Sequence, residues 1–216
     1  MPDLSQTSPA AFPLQGGLVL NKSTFAMQPG EAQELINFEP DIDGGYRRIN
    51  GFTKYNTNIV PITSASTEEV LLSCIFNDTI VAARGTKIFT AAAGSGSWTE
   101  RDSGRTSAGV YTFERFNFDG NNKLIVADGN NAPTVFNTSF AATDVSSAGS
   151  GEVSTAVTGA KFVAVFKDHM FYAGMSSTPQ EVVFSVPFDE DDFATGSGAG
   201  SFKVDDTITG LKDFRE

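Results

Sequence analysis

Three stretches decide the fold: Cys74-Ile75-Phe76-Asn77-Asp78-Thr79-Ile80-Val81-Ala82-Ala83, Phe116-Asn117-Phe118-Asp119-Gly120-Asn121-Asn122-Lys123-Leu124-Ile125-Val126-Ala127, and Val163-Ala164-Val165-Phe166-Lys167-Asp168-His169-Met170-Phe171-Tyr172-Ala173. Each is an apolar strand, a polar turn at Asn or Asp, and a second apolar strand closing on Ala. With Val81, Val126 and Tyr172 aligned, a further strand follows each time, ending near Phe89, Phe136 and Phe184. A loop rich in Gly, Ser and Thr then leads onward, at residues 93–97, 146–151 and 195–200. The last leads into Ile208-Thr209-Gly210-Leu211, which echoes Val157-Thr158-Gly159-Ala160 and is expected to open a fourth repeat. Repeats of this length holding three or four short strands are the sequence mark of β-propeller blades, with a β-sandwich or β-solenoid as the alternatives. The spacing predicts an all-β chain, a propeller-like and possibly incomplete array of antiparallel sheets starting near residues 69, 110 and 159.

Outward from the repeats, residues 65–216 form the array, residues 15–64 an amino-terminal segment containing a hairpin, and residues 1–14 an extended arm. Pro2, Pro9 and Pro13 among small and polar residues give the arm no core of its own. Gly16-Gly17 precedes the apolar run Leu18-Val19-Leu20, and Pro29-Gly30 marks a turn before residues 31–38, which are allowed at most one or two helical turns. Asp43-Gly44-Gly45, between Ile42 and Tyr46-Arg47-Arg48-Ile49, supplies the positive φ angles of a tight hairpin turn.

Composition agrees with many short strands: 19 Phe and 21 Gly accompany abundant Ser, Thr and Asn, while charged residues are held to 19%. Fifteen basic against 26 acidic side chains give a formal charge of −11. A surface of that sign repels phosphate, which argues against a nucleic-acid grip but allows DNA to pass as a neighbour. The single Cys74 forbids an intrachain disulfide. Residues 1–5 lack the basic and apolar regions of a signal peptide, and no apolar run approaches a membrane span, so a soluble chain without a membrane anchor is expected.

Catalytic chemistry finds little to stand on. His169 is the only histidine and is placed at a turn, no G-x-S-x-G elbow is present, and Cys74 falls on the apolar face of a strand. One Cys and one His cannot furnish a usual zinc ligand set. Asp41-Ile42-Asp43 and Asp189-Glu190-Asp191-Asp192 lack EF-hand spacing and read as turn carboxylates. Gly196, Gly198 and Gly200 are followed by no Lys-Ser or Lys-Thr, so no phosphate loop and no cofactor is expected. Trp98 reads as a packing aromatic, since the Ser-x-Asp-x-Gly-x-x-Trp turn of sialidase-like propellers is missing. Arg47-Arg48 is the compact basic pair of an acidic chain and a candidate contact to an acidic neighbouring subunit.

Gly16-Gly17-Leu18, Pro29-Gly30-Glu31-Ala32 with Leu35 and Asn37-Phe38, and Asp43-Gly44-Gly45-Tyr46-Arg47-Arg48 with Gly51-Phe52 resemble the amino-terminal segment of bacteriophage tail and neck proteins. The group most similar is the propeller-containing nozzle (tail tubular) proteins of short-tailed phages. Residues 181–188, Asp191-Asp192-Phe193 and 208–211 look like a blade of the same group. The resemblance implies a virion structural protein, made in the bacterial host cytoplasm, that forms homo-oligomeric rings around the DNA exit channel and contacts an adaptor or tail tube. It carries over no catalytic residues and no cofactor, and members of that group are generally longer and close their propeller. Unpaired strand edges and the arm, through Phe12 and Leu14, are then expected to be covered by neighbouring subunits, with Arg47 and Arg48 as further assembly contacts. The alternatives from other classes are a carbohydrate- or receptor-binding propeller module of a virion and a propeller glycosidase fragment.

Overall fold

The computed structural model describes residues 16–42, 45–64, 67–107, 109–118, 120–145 and 152–213. Among them there is no α-helix, only two three-residue 3-10 turns, and the remaining regular structure is strand. The chain divides into two compact units, residues 1–53 and 54–216.

In the first unit, β1 (Gly17–Leu18) pairs parallel with β2 (Glu31–Ala32), and β3 (Phe38–Pro40) pairs antiparallel with β4 (Tyr46–Arg48). The hairpin expected here is therefore present, although its turn residues Asp43 and Gly44 lie outside the described residues. The helical turns allowed over residues 31–38 are replaced by β2 and the start of β3. Pairing with β1 and β4 satisfies backbone groups that an isolated helical turn would leave open.

The second unit contains three four-stranded meanders. The first sheet is β5 (Val70–Phe76), β6 (Thr79–Arg84), β7 (Lys87–Ala92) and β8 (Thr99–Ser103). The second is β9 (Thr112–Phe118), β10 (Asn121–Ala127), β11 (Thr134–Phe136) and β12 (Ala142–Asp144), and the third is β13 (Phe162–Phe166), β14 (His169–Ala173), β15 (Glu181–Phe184) and β16 (Gly200–Lys203). In each, consecutive strands are antiparallel neighbours. The first hairpin of every sheet closes on a two-residue turn. Asn77 and Asp78 have φ of 46° and 55°, and Lys167 and Asp168 have 47° and 67°. Two consecutive positive φ values define the type I′ geometry whose twist matches the flanking strands, and Asn and Asp tolerate it best. Gly200 shows why β16 opens on glycine: a Cβ there would come within 2.7 Å of the Phe184 ring on the paired strand.

The sheets stack face to face, and the alternation of side chains along β10 and β11 makes the stack. Ile125, Ala127 and Val135 turn toward the third sheet, joining Val163, Val165, Met170, Tyr172 and Val183 in one core. Leu124, Val126 and Phe136 turn the other way, meeting Leu72, Cys74, Phe76, Val81 and Ile88 of the first sheet in a second core. The central strands β10 and β11 of the middle sheet are buried on both faces, so they carry continuous apolar runs, whereas β9 alternates.

The turns correct the alignment of the repeats: counted from Phe76, Phe118 and Phe166, Val81, Val126 and Tyr172 stand 5, 8 and 6 residues on, so Val126 is shifted by three and Tyr172 by one relative to Val81. Val81 points toward the sheet that follows it, whereas Val126 and Tyr172 point back toward the sheet before them. Counted from the turns, the counterpart of Tyr172 in β6 is Ala82, also buried, and that of Val126 is Arg84. A slip of one residue exchanges the two faces of a strand, and apolar residues on both faces leave the sequence blind to it. The reliable marker is the residue before the two-residue turn, which is Phe76, Phe118 and Phe166 in the three sheets.

After its fourth strand the chain returns to the turn between the second and third strands of the same sheet. Arg105 N donates to Thr86 O at 3.0 Å, Gly159 N to Asn131 O at 2.9 Å, and Ile208 N to Pro179 O at 2.9 Å. Residues 208–211 hence follow the third sheet as residues 157–160 follow the second, but they are extended chain and not a strand of a fourth sheet. Residues 54–64 lie against the first sheet: Trp98 Nε1 donates to Asn58 O, Arg84 Nη1 to Val60 O, and Gly94 N to Tyr55 O.

Candidate functional site

The residues singled out as assembly contacts fall in the first unit. Phe12 and Leu14 lie outside the described residues. Arg47 sits opposite Glu39 in the β3–β4 ladder and its Nε donates to Glu39 Oε1 at 2.7 Å, so within this chain it already has an acidic partner. Both side chains are well exposed, and such a pair contributes about 0.2–1 kcal/mol. Arg48 is exposed and lines a 430 Å³ depression with Asn37, Asn50 and Phe52. The Tyr46 hydroxyl lies 2.7 Å from Gly17 O and 2.8 Å from Gly30 O, tying the hairpin to the ends of β1 and β2.

A polar cleft of 490 Å³ opens between the first and second sheets at their turn ends. Phe76, Asn77, Arg115, Asn117, Asn122 and Lys123 line it. Asn117 and Asn122 are cross-strand partners next to the β9–β10 turn. Arg115 Nη1 donates to Ile75 O at 2.9 Å and Asn77 Nδ2 to Thr138 O at 3.2 Å, which fixes both side chains across the sheet boundary. Planar amides offering a donor and an acceptor, beside a guanidinium, match the hydroxyls and carboxylates of sugars. Sequence reasoning missed this cleft because its residues come from two turns in different repeats.

Two ionic ties join the sheets. Arg105, whose side chain is 5% exposed, places Nη2 at 2.5 Å from Asp102 Oδ2 and 3.0 Å from Asp144 Oδ1, and Nη1 donates to Ala132 O at 2.7 Å. Asp102 belongs to the first sheet and Asp144 to the second, with Ala132 in the connection between β10 and β11. At the next boundary Lys123 of β10 bonds Glu190 Oε1 at 2.5 Å, and the buried Tyr172 hydroxyl donates to the Glu190 carbonyl at 2.7 Å. Glu190 is buried, and its Oε2 has no hydrogen-bond partner.

The acidic turn around Glu190 has a consequence for pH. Desolvation, a hydrogen bond with Asp189 and the charges of Glu190 and Asp189 together push the Asp191 carboxyl up to about 6, against the opposing charge of Lys123. A folded-state value above the unfolded one means that the contribution to stability is present below the unfolded value and lost as pH rises through about 6. Denaturant unfolding at pH 4, 5, 6 and 7 is expected to show stability falling across that window, and Asp191→Asn to flatten that part of the profile. Solvent exposure of Asp191 keeps the change small. An unchanged profile in the Asn variant would show that the proton is held elsewhere.

His169 is the first residue of β14 rather than a turn residue. Its Nδ1 donates to Ser185 O at 2.6 Å, and its ring meets Phe171 and Phe184 edge-on. The turn reading failed because the two-residue turn uses Lys167 and Asp168, leaving His169 free to pair with Phe166. Cys74 faces the core, where burial pushes its thiol up to about 11 and keeps the thiolate population negligible at neutral pH. Among the described residues no three His, Cys, Asp or Glu side chains converge as a metal site. No helix among them is long and apolar enough to cross a membrane. Comparison with protein-family models and with curated proteins gives no match.

Proposed function

We propose that the three meanders are blades of a propeller-like array and that the chain is a structural component of a bacteriophage tail or neck, acting through subunit contacts around the DNA exit channel. The observation that carries this reading is the succession of three four-stranded meanders stacked by their faces, attached to an amino-terminal hairpin segment whose residues resemble those of phage tail proteins. Scaffolding fits the internal chemistry: the buried ionic groups tie one sheet to the next, and the cysteine lies in a core. The charge of −11 suits a wall past which DNA slides, since a negative surface does not hold a phosphate backbone.

Cryo-EM of assembled particles tests the proposal. The chain is expected in a ring at the tail or neck, with the β3–β4 hairpin and residues 1–14 against a neighbouring subunit. Finding it as an isolated monomer on the outer surface, away from any channel, would refute the reading. A second reading, a saccharide-binding virion module, is favoured by the Asn77, Arg115, Asn117 and Asn122 cleft. A glycan array separates the two: selective binding lost in Arg115→Ala supports the module, and no binding supports the scaffold.

A further inference from the structure

Asn50-Gly51 is the one Asn-Gly pair in the chain. This dipeptide ordinarily makes a two-residue hairpin turn, because both of its residues accept positive φ. Here neither residue has positive φ, and the turns with that geometry are built from Asn77-Asp78 and Lys167-Asp168 instead. Asn50 and Gly51 follow β4 as chain without regular structure. A Cβ built on Gly51 would meet nothing within 4 Å, so neither backbone conformation nor packing demands glycine at that position.

Reactivity sets this pair apart. Every other asparagine in the chain is followed by a residue with a side chain. Among the described residues the Asn50 side chain and the Gly51 amide make no hydrogen bond, so nothing holds the two groups away from each other. Asparagine amides are among the thermally labile groups of a protein, and a neighbouring main-chain nitrogen without a Cβ beside it is the least hindered nucleophile available to one.

We propose that Asn50 is a site of spontaneous deamidation and that the carboxylate it yields neutralises Arg48. The Gly51 nitrogen, after losing its proton to solvent base, attacks Asn50 Cγ. The Cγ–Nδ2 bond breaks, and the leaving nitrogen takes up protons and departs as ammonia. Water then opens the resulting succinimide at either carbonyl, giving aspartate or an isoaspartyl linkage through the side chain. Each conversion consumes one water and releases one ammonia, with no oxidant and no cofactor.

Position sets the consequence. Arg48 and Asn50, two residues apart, line the same 430 Å³ depression, and every residue of that lining belongs to the first unit. Arg48 is the charged member of the lining. Arg47 is already paired with Glu39, whereas Arg48 has no acidic partner among the described residues. A carboxylate at position 50 supplies one and cancels the positive charge of the depression. Loss of that cation as an assembly contact rests on the virion reading, whereas the modification itself does not.

Peptide mapping by mass spectrometry of the purified full chain, before and after several days in warm, mildly alkaline buffer, tests the proposal. Asn50 is expected to convert before any other asparagine, to a mixture of aspartate and isoaspartate. Gly51→Ala, which the open space accommodates, is expected to slow the conversion by about tenfold or more with unchanged circular dichroism. An intact Asn50 or earlier conversion elsewhere would overturn the proposal. So would aspartate alone, or an equal rate in the alanine variant, since either means direct hydrolysis of the amide. For the consequence, the new carboxylate of Asn50→Asp, followed by NMR, is expected to titrate at lower pH than in the double variant Asn50→Asp with Arg48→Ala, because an adjacent cation favours the charged form. Identical titrations would overturn the pairing. None of these results moves the particle-localisation test, so failure of this proposal and failure of the virion reading are told apart.

Discussion

Replacing Arg105 by alanine is expected to cost about 3–5 kcal/mol of stability, the range found when one partner of a buried ion pair is removed. The Arg105 side chain is buried, and its guanidinium satisfies Asp102, Asp144 and the Ala132 carbonyl at once. Without it Asp102 and Asp144 face one another across the boundary between the first and second sheets with no cation between them. Asp128, buried 3.9 Å from the guanidinium, keeps its hydrogen bonds from the Asn130 and Asn131 amides and still loses a neighbouring positive charge. Arg105→Lys is expected to recover only part of the loss, because an ammonium cannot reproduce the planar fork that reaches two carboxylates and a carbonyl. Urea unfolding monitored by circular dichroism measures both variants. A loss under about 1 kcal/mol for the alanine variant would show that the sheet boundary is held by apolar contact alone.

Phe136→Ala is expected to cost about 3–5 kcal/mol, from lost transfer energy and from a cavity that the rigid ladders on both sides cannot fill. Phe136 is fully buried in β11, on the face of the second sheet that meets the first. Its backbone is paired with Leu124 on one side and Ala142 on the other, so the strand cannot shift inward to close the hole. Phe136→Leu keeps most of the volume and is expected to lose less than about 1.5 kcal/mol. The same urea titration distinguishes the two variants, and equal losses would show that the aromatic shape rather than the cavity sets the cost.

The alternation of strand and polar turn was legible in the sequence because the turns are local. Asn77-Asp78 and Lys167-Asp168 adopt positive φ at both residues, and Asn and Asp in such a turn announce a hairpin whatever lies around it. The recurrence of the unit was legible for the same reason, since each repeat carries its own hairpin and hairpin contacts are close in sequence, but its step was not: from Phe76 to Phe118 to Phe166 the turns stand 42 and then 48 residues apart. The β3–β4 hairpin was marked likewise, by its apolar and aromatic strand residues flanking a glycine-rich turn. The all-β class and the order of the hairpins thus follow from local turn chemistry alone.

Which face of each strand meets which neighbour was decided by tertiary structure. In β10 the run Leu124-Ile125-Val126-Ala127 is apolar throughout, so periodicity assigns none of the four to a face, and only the sheets on both sides send Leu124 and Val126 one way and Ile125 and Ala127 the other. The same holds for the ionic ties: Asp102, Arg105, Ala132 and Asp144 converge from two sheets, and no spacing in the chain marks them as partners. Residues 208–211 make the point most sharply. Their likeness to residues 157–160 is real, since both return to a turn of their own sheet, yet Val157 and Ala160 are buried in the core shared with the third sheet while Leu211 is half-buried. Local turn chemistry fixes a hairpin before anything packs against it, whereas the burial of a sheet face depends on a second sheet brought from far along the chain, or from another chain.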